Sequence, residues 1–263
     1  MFNTFVNIFL HMGTKLIGNK IIHLDSVAST NDYLNNLLTT CLLNEGTIVI
    51  TDNQLAGKGL DKNTWESKKG ENLTLSIFLR PSFLPIEKQF MLNKVISLAV
   101  CNFIELQLPG ENIKIKWPND IYIGNQKAAG ILINNSLQGS KFVFSIVGIG
   151  LNVNQTIFLS DAPNPVSISM KKGKSLNLND CLLQLCNCID IFYNRLQTDT
   201  WKTIDNEYLS HLFQYQLLKT YYYKGKIIQA TITGISSFGK LQLAVASGDK
   251  IECDLKEITF IVH

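Results

Sequence analysis

The spacing of apolar and polar positions changes several times along this chain, and each change marks an element. Residues 20–24 read as a short strand, followed by hydroxyl caps at Ser29 and Thr30 and a helix carrying Tyr33, Leu34, Leu37 and Leu38. Residues 46–51 (GTIVIT) are β-branched and short enough for a buried strand, which runs into a polar, glycine-containing loop over 52–70. A connection of that length in a folded domain usually carries function. Alternation returns over 72–80 (NLTLSIFLR), and after Pro81 and Pro85 a stripe of Phe90, Val95, Leu98, Phe103 and Leu106 predicts a long helix. Three further strands are expected at 113–117, 127–134 and 142–151, then helices over 179–196 and 201–213.

From Lys219 the pattern shifts to short strands broken by Gly225, Gly234, Gly239 and Gly248. The expectation is a sheet between helices over 19–216 and a small all-β barrel over 217–263. Residues 1–18 fit no clear element and read as an N-terminal extension, with Met12 as an alternative start. The chain shows neither internal repeats nor low-complexity sequence.

Composition adds limits. The 263 residues suffice for one good-sized core and a small second unit, and 46% apolar with 17% charged residues is the balance of a folded globular chain. A net charge of +3 without any block of five or six Lys/Arg leaves no footprint for a phosphate backbone, so no nucleic-acid partner is expected. The six cysteines form no CxxC pair and have no His at ligand spacing; they read as reduced structural thiols of a reducing compartment. The apolar start lacks the basic region and small-residue cleavage site of a secretory signal, and no apolar run reaches the roughly 18 residues of a membrane span. The expected location is cytoplasmic, with no membrane partner.

Four segments offer chemistry. Ser29-Thr30-Asn31 places hydroxyls and an amide at a helix start, where they bind a small polar ligand or, taken alone, simply cap the helix. Residues 54–59 (Gln54, Leu55, Ala56, Gly57, Lys58, Gly59) pair a cation with two glycines that let backbone N–H groups approach an anion. They lack the spacing of a Walker-type phosphate loop and lie between strands. Trp65, further along the loop, either stacks on a purine or anchors the loop to the core. In Lys116-Trp117-Pro118-Asn119-Asp120, Pro118 forces an extended turn that displays Asn119 and Asp120, while Lys127 opens the next strand on an adjacent edge and Gly130 follows it. Gly148-Ile149-Gly150-Leu151-Asn152 is a strand end that either admits a ligand closely or forms a bulge.

In this order and at these separations, the segments resemble the signature set of the biotin protein ligase catalytic domain. KWPNDIYIGNQKAAGIL and GIGLNVN are close matches, and the similarity covers roughly residues 20–263. The resemblance implies an α+β fold, a mixed β-sheet flanked by helices of the class II aminoacyl-tRNA synthetase-like kind, with a small C-terminal SH3-like β-barrel. It implies an enzyme that uses ATP and Mg2+ to activate biotin as its adenylate and passes it to a lysine of a biotin carboxyl carrier protein. By the same resemblance Ser29, Thr30, Asn31, Gln54 and Gly130 contact biotin, with Gly57, Lys58 and Gly59 in a loop that closes over it. Trp65 packs on adenine, Lys127 binds the biotin carboxylate and the α-phosphate, and Asn152 meets the nucleotide. Asn119 and Asp120 orient phosphate, Mg2+ or the incoming amine, with the partner of Asp120 left open.

Some members of the family carry an N-terminal DNA-binding domain. The resemblance here is to the type without it, and no DNA partner is expected. Members often dimerise through a sheet edge, so a homodimer is a further expectation. One departure stands out: the family's loop is commonly arginine-rich (GRGRRGR), whereas this chain has Lys58 and Leu60 at two of the arginine positions. A lysine lacks the bidentate fork of arginine and a leucine has no donor, so weaker retention of the adenylate is expected. The alternatives are a lipoate or octanoate ligase or transferase of the same superfamily and, from another class, a non-catalytic biotin-sensing or nucleic-acid-binding module.

Overall fold

The fold is that of a computed structural model, which describes residues 6–10, 15–61, 63–139, 141–160, 164–198, 201–246 and 248–261, without the side chains of 6–10. The alternative start at Met12 lies outside the described residues. Eight strands form one sheet in the order β1-β2-β3-β4-β8-β7-β6-β5: β1 (Val6–Leu10), β2 (Lys20–Val27), β3 (Ile48–Gln54), β4 (Leu73–Leu79), β5 (Ile113–Lys116), β6 (Asp120–Ile123), β7 (Gln126–Gln138) and β8 (Lys141–Leu151). β2 and β3 run parallel, because α1 (Thr30–Thr40) crosses between them; the other neighbours are antiparallel, making the sheet mixed.

Each face of the central strands is covered, which explains why all seven residues of β4 are buried and why its sequence is apolar or hydroxylic throughout. On one face α1 lays Leu34 against Ile22, Leu24, Val49, Phe78 and Ile146. On the other, α2 (Phe90–Gln107) and α4 (Leu178–Gln197) join α3 (Ile168–Lys172) and α5 (Trp201–His211) in the larger core. The segment Ile86–Gln107 is long and apolar enough to cross a bilayer, with mean hydropathy 1.2, but two thirds of it is buried inside the protein, so it reads as the core helix. That tempers the sequence expectation that no stretch would qualify.

The C-terminal residues form a five-stranded antiparallel sheet, order β12-β11-β10-β9-β13, from β9 (Leu218–Tyr223), β10 (Lys226–Ile235), β11 (Leu241–Val245), β12 (Lys250–Cys253) and β13 (Ile258–Phe260). Tyr221 is buried and Tyr222 exposed, as the two-residue period of a strand requires. The apolar side of this sheet is continuous with the larger core. At the seam Trp117 Nε1 donates to the Gly239 carbonyl at 2.8 Å, and Phe90 packs against Gly239, where any Cβ would come within 2.3 Å of its ring.

Several details differ from the sequence prediction. The 113–117 strand ends at Lys116; the turn read around Pro118 is present over 117–119, but Asp120 already opens β6, a strand of four residues and too short to show alternation. The five-residue helix α3 and the strand β1 were not predicted, and the 52–70 loop gives its first three residues to β3. The last helix stops at His211.

Candidate functional site

The start of α1 is built from polar groups that satisfy one another. Ser29 is the N-cap, its Oγ accepting from the Asp32 N–H at 3.3 Å, so its hydroxyl serves as the helix cap. Gln54 Oε1, at the end of β3, accepts from the Thr30 N–H at 2.9 Å and its hydroxyl at 3.3 Å. Ser76 on β4 donates to Asn31 Oδ1, and its oxygen lies 2.7 Å from Thr30 Oγ1. All four of Ser29, Thr30, Asn31 and Ser76 are buried, so the network is a rigid polar platform.

Opposite it stands the β5–β6–β7 meander. Lys127 Nζ meets Asp120 Oδ1 at 2.7 Å, each side chain about one-fifth exposed. Neighbouring strands bring them together: Asp120 pairs with Lys116 and Gly130, and Lys127 with Tyr122. Asn119 is a structural clamp, its Nδ2 donating to the Ile131 carbonyl at 2.7 Å and its own carbonyl accepting from the Ile131 N–H at 2.9 Å. Lys116 Nζ donates to Tyr122 Oη at 3.0 Å between the rings of Tyr122 and Phe260. Burial pushes the Lys116 ammonium below its usual range and the positive charge of Lys127 adds to this, while Asp120 opposes; burial and the Asp120 charge hold the Tyr122 phenol above its own.

The loop after β3 is a small hairpin. Lys58 bridges to Thr64, and the Gly59 N–H donates to the Asn63 carbonyl at 2.7 Å. That N–H is therefore already used, contrary to the expectation that it waits for an anion. Gly57 is glycine for a different reason, since a Cβ there would fall 2.3 Å from the Trp65 carbonyl. Lys58 Nζ pairs with Asp32 at 2.6 Å, and Asp61, at φ 63°, pairs at 3.0 Å with Lys256, in the short helical turn between β12 and β13.

Trp65 lies over β7 and β8. A Cβ on Gly150 would come 2.2 Å from its Cε2 and one on Gly130 3.2 Å from its Cζ3, while Gly148 makes the same kind of room for the Asn31 amide. The two glycines of GIG thus admit two side chains of the protein itself. Among the described residues the buried Trp65 Nε1 has no hydrogen-bond partner. Its neighbour Glu66 fixes the loop: the carboxylate accepts from the Leu159 and Ser160 N–H groups and from Gln155 Nε2, and Gln155 Oε1 accepts from Asn72 and the Lys68 N–H. Burial pushes the Glu66 carboxyl up, but the hydrogen bonds from Ser160, Leu159 and Gln155 outweigh it and hold it below the usual range.

These surfaces enclose one cavity of about 350 Å³, lined by Ser29, Thr30, Asn31, Gln54, Lys58, Gly59, Trp65, Asn119, Asp120, Lys127 and Gly130. Two sequence candidates lie behind its wall. Gly57 supports Trp65, and Asn152 donates from Nδ2 to the Val166 carbonyl at 3.1 Å and the Lys127 carbonyl at 3.5 Å, bracing the lysine's backbone without facing the cavity. Sequence reasoning missed Ser76, the Glu66–Gln155 anchor and the wall formed by Leu255, Lys256, Ile258 and Phe260. Only the last left a sequence trace, in the alternation of the tail.

No cluster of three or more His, Cys, Asp or Glu side chains that could cage a metal occurs among the described residues. Magnesium in nucleotide sites typically takes one or two carboxylates and draws its other ligands from water and substrate phosphates. Asp120, in the cavity wall, is a donor of that kind.

A mixed sheet between helices, with a lysine, a carboxylate and an indole around one polar cavity, defines an α+β small-molecule-binding domain suited to an anion attached to a flat ring. Residues 24–152 match the biotin/lipoate A/B protein ligase family. The chain is 31% identical over 190 residues to the bifunctional ligase/repressor BirA of Bacillus spizizenii, covering 70% of this chain and 57% of that protein. It is 34% identical over 161 residues to the biotin–protein ligase of Homo sapiens, covering 57% of this chain and 22% of the human protein. The chain thus spans a little over half the length of its Bacillus relative. In fold it is similar to the Aquifex aeolicus biotin protein ligase solved with biotin and ATP, with TM-score 0.73 at 24% identity over 91% of this chain and 97% of the other.

Proposed function

We propose that this chain is an ATP-dependent biotin protein ligase. The observation that carries the reading is the Lys127–Asp120 pair beside the Trp65 indole, inside the segment that matches the ligase family. In the first step an oxygen of the biotin carboxylate attacks the α-phosphorus of ATP and pyrophosphate leaves. Both reactants are anions. Lys127 lowers their repulsion and stabilises the charge that builds on phosphate oxygens, without a covalent enzyme intermediate. The polar platform of Thr30, Asn31 and Gln54, with Ser29 and Gly130, forms the biotin end of the site. Trp65 covers the adenine end, and Lys58 and Gly59 belong to the closing loop. Asp120 would hold Mg2+, which supplies charge neutralisation on the triphosphate.

In the second step a carrier lysine attacks the mixed anhydride. A free lysine is neutral in only about one molecule in 10³ at pH 7, so a carboxylate must position the amine or take its proton. Asp120 fills that role, using the oxygen that Lys127 does not hold. The acceptor is a biotin carboxyl carrier domain. The C-terminal sheet is the small second unit of the chain and closes one side of the cavity, the protein acts in the cytoplasm, where its free thiols stay reduced, and a homodimer is its expected assembly.

The test is incubation with biotin, MgATP and a biotin carboxyl carrier domain, followed by mass measurement of the carrier. One added biotinyl group is expected, and an unmodified carrier overturns the reading. Biotin at 100 times its Kd adds about 2.7 kcal/mol of stability. Biotin is therefore expected to raise Tm where lipoate does not.

A further inference from the structure

Four lysines line the cavity, and three of them already face a carboxylate: Lys58 meets Asp32 at 2.6 Å, Lys127 meets Asp120 at 2.7 Å and Lys256 meets Asp61 at 3.0 Å. Among the described residues Lys116 alone of the four has no carboxylate within ion-pair distance. Its ammonium has three N–H donors and gives one to the neutral Tyr122 hydroxyl, while the faces of Tyr122 and Phe260 hold it 5.1 and 5.5 Å from their centroids. Aromatic faces fix a cation in place without neutralising it.

Lys127 and Asp120 cancel in charge, yet the proposed reaction brings together a carboxylate and a triphosphate. Besides the Mg2+ that Asp120 would hold, a lysine that no carboxylate offsets can meet part of that charge, and Lys116 sits two strands from Lys127, with roughly 10 Å between the strand backbones. A ligand that engages both lysines is an extended polyanion, longer than a single carboxylate. We propose that Lys116 binds the distal phosphates of the nucleoside triphosphate and the pyrophosphate that leaves. As the carboxylate oxygen bonds to the α-phosphorus, the bond from that phosphorus to the bridging oxygen breaks, and the departing pyrophosphate takes the electron pair and the charge that Lys116 meets.

The inference rests on the ligase reading, and the test separates the two. Lys116→Met keeps the unbranched chain between the rings, and Lys116→Arg keeps the charge. Calorimetric titration with inorganic pyrophosphate should show binding roughly ten- to a hundredfold weaker in Lys116→Met, with Lys116→Arg recovering most of it. KM for ATP should rise in the Met variant, while biotin affinity and transfer from synthetic biotinoyl-5'-adenylate to the carrier stay at parental values, because neither contains pyrophosphate. Undiminished pyrophosphate affinity in Lys116→Met overturns the assignment, and so does a parallel loss of biotin affinity and adenylate transfer, the mark of a structural role. A parent protein that binds pyrophosphate through Lys116 but neither binds biotin nor modifies the carrier overturns the ligase reading and leaves the anion site standing.

Discussion

Gly150 shows how single atoms decide this site. A methyl group there would fall 2.2 Å from the indole of Trp65, and the ring cannot retreat far, because its own residue is tied to Gly57 through a backbone hydrogen bond. Gly150→Ala should therefore displace Trp65 and weaken adenylate binding by roughly tenfold or more, a cost of about 1.4 kcal/mol, while biotin alone binds almost as before. Equal loss for both ligands in calorimetry would contradict that division. Lys127→Ala should abolish adenylate formation with an unchanged circular dichroism spectrum, and near-normal pyrophosphate release would remove the residue from the mechanism. Asp120→Asn should slow transfer to the carrier more than adenylation, whereas equal slowing in single-turnover assays of the two half-reactions would exclude the assigned role. Much at this scale was legible, because Lys127, Asp120, Gln54 and Trp65 fall in recognisable motifs. Lys116 stands in the same motif as Asp120, but its lack of a carboxylate is visible only once the partners of the other three lysines are known.

The loop between β3 and β4 is the element on which access to the site depends. Its length and polarity announced it in the sequence, but its attachments did not, since they rest on residues distant along the chain. Two attachments are exposed ion pairs, Lys58–Asp32 and Asp61–Lys256, each of a kind worth ~0–1 kcal/mol, so the tip is lightly held. The base is held by Glu66, whose folded carboxyl titrates below its ordinary value. The stability it contributes is thus present above the usual carboxylate range and is lost as pH falls through the folded value. The Tm difference between the parent and Glu66→Gln should be largest near neutrality and shrink in acid; a difference that grows as pH falls would reverse the sign. The same dependence on distant partners explains why β6 was unseen, since its four residues are a strand only through pairing with β5 and β7.

At the scale of the whole molecule, the change of periodicity near residue 217 coincides with the start of the second sheet, so the split into two sheets was readable. Their union was not. The two share one apolar core, and the cavity draws its wall from both. Gly239 is the pinch point, at φ 88° against Phe90 and accepting from Trp117. Gly239→Ala should cost about 1–3 kcal/mol, from overpacking and an unfavourable backbone, and lower Tm by roughly 2–4 °C for each kcal/mol. An unchanged melting profile would show that the seam yields more easily than its packing suggests.

The three indoles of this chain have unlike surroundings: Trp117 and Trp201 each give their N–H to a backbone carbonyl, whereas Trp65 gives its own to none of the described residues. An excited indole responds to the polarity and hydrogen bonding around it, so the emission of Trp65 should report ligand arrival without any label. With Trp117 and Trp201 replaced by phenylalanine, the protein becomes its own optical sensor for whatever enters the cavity.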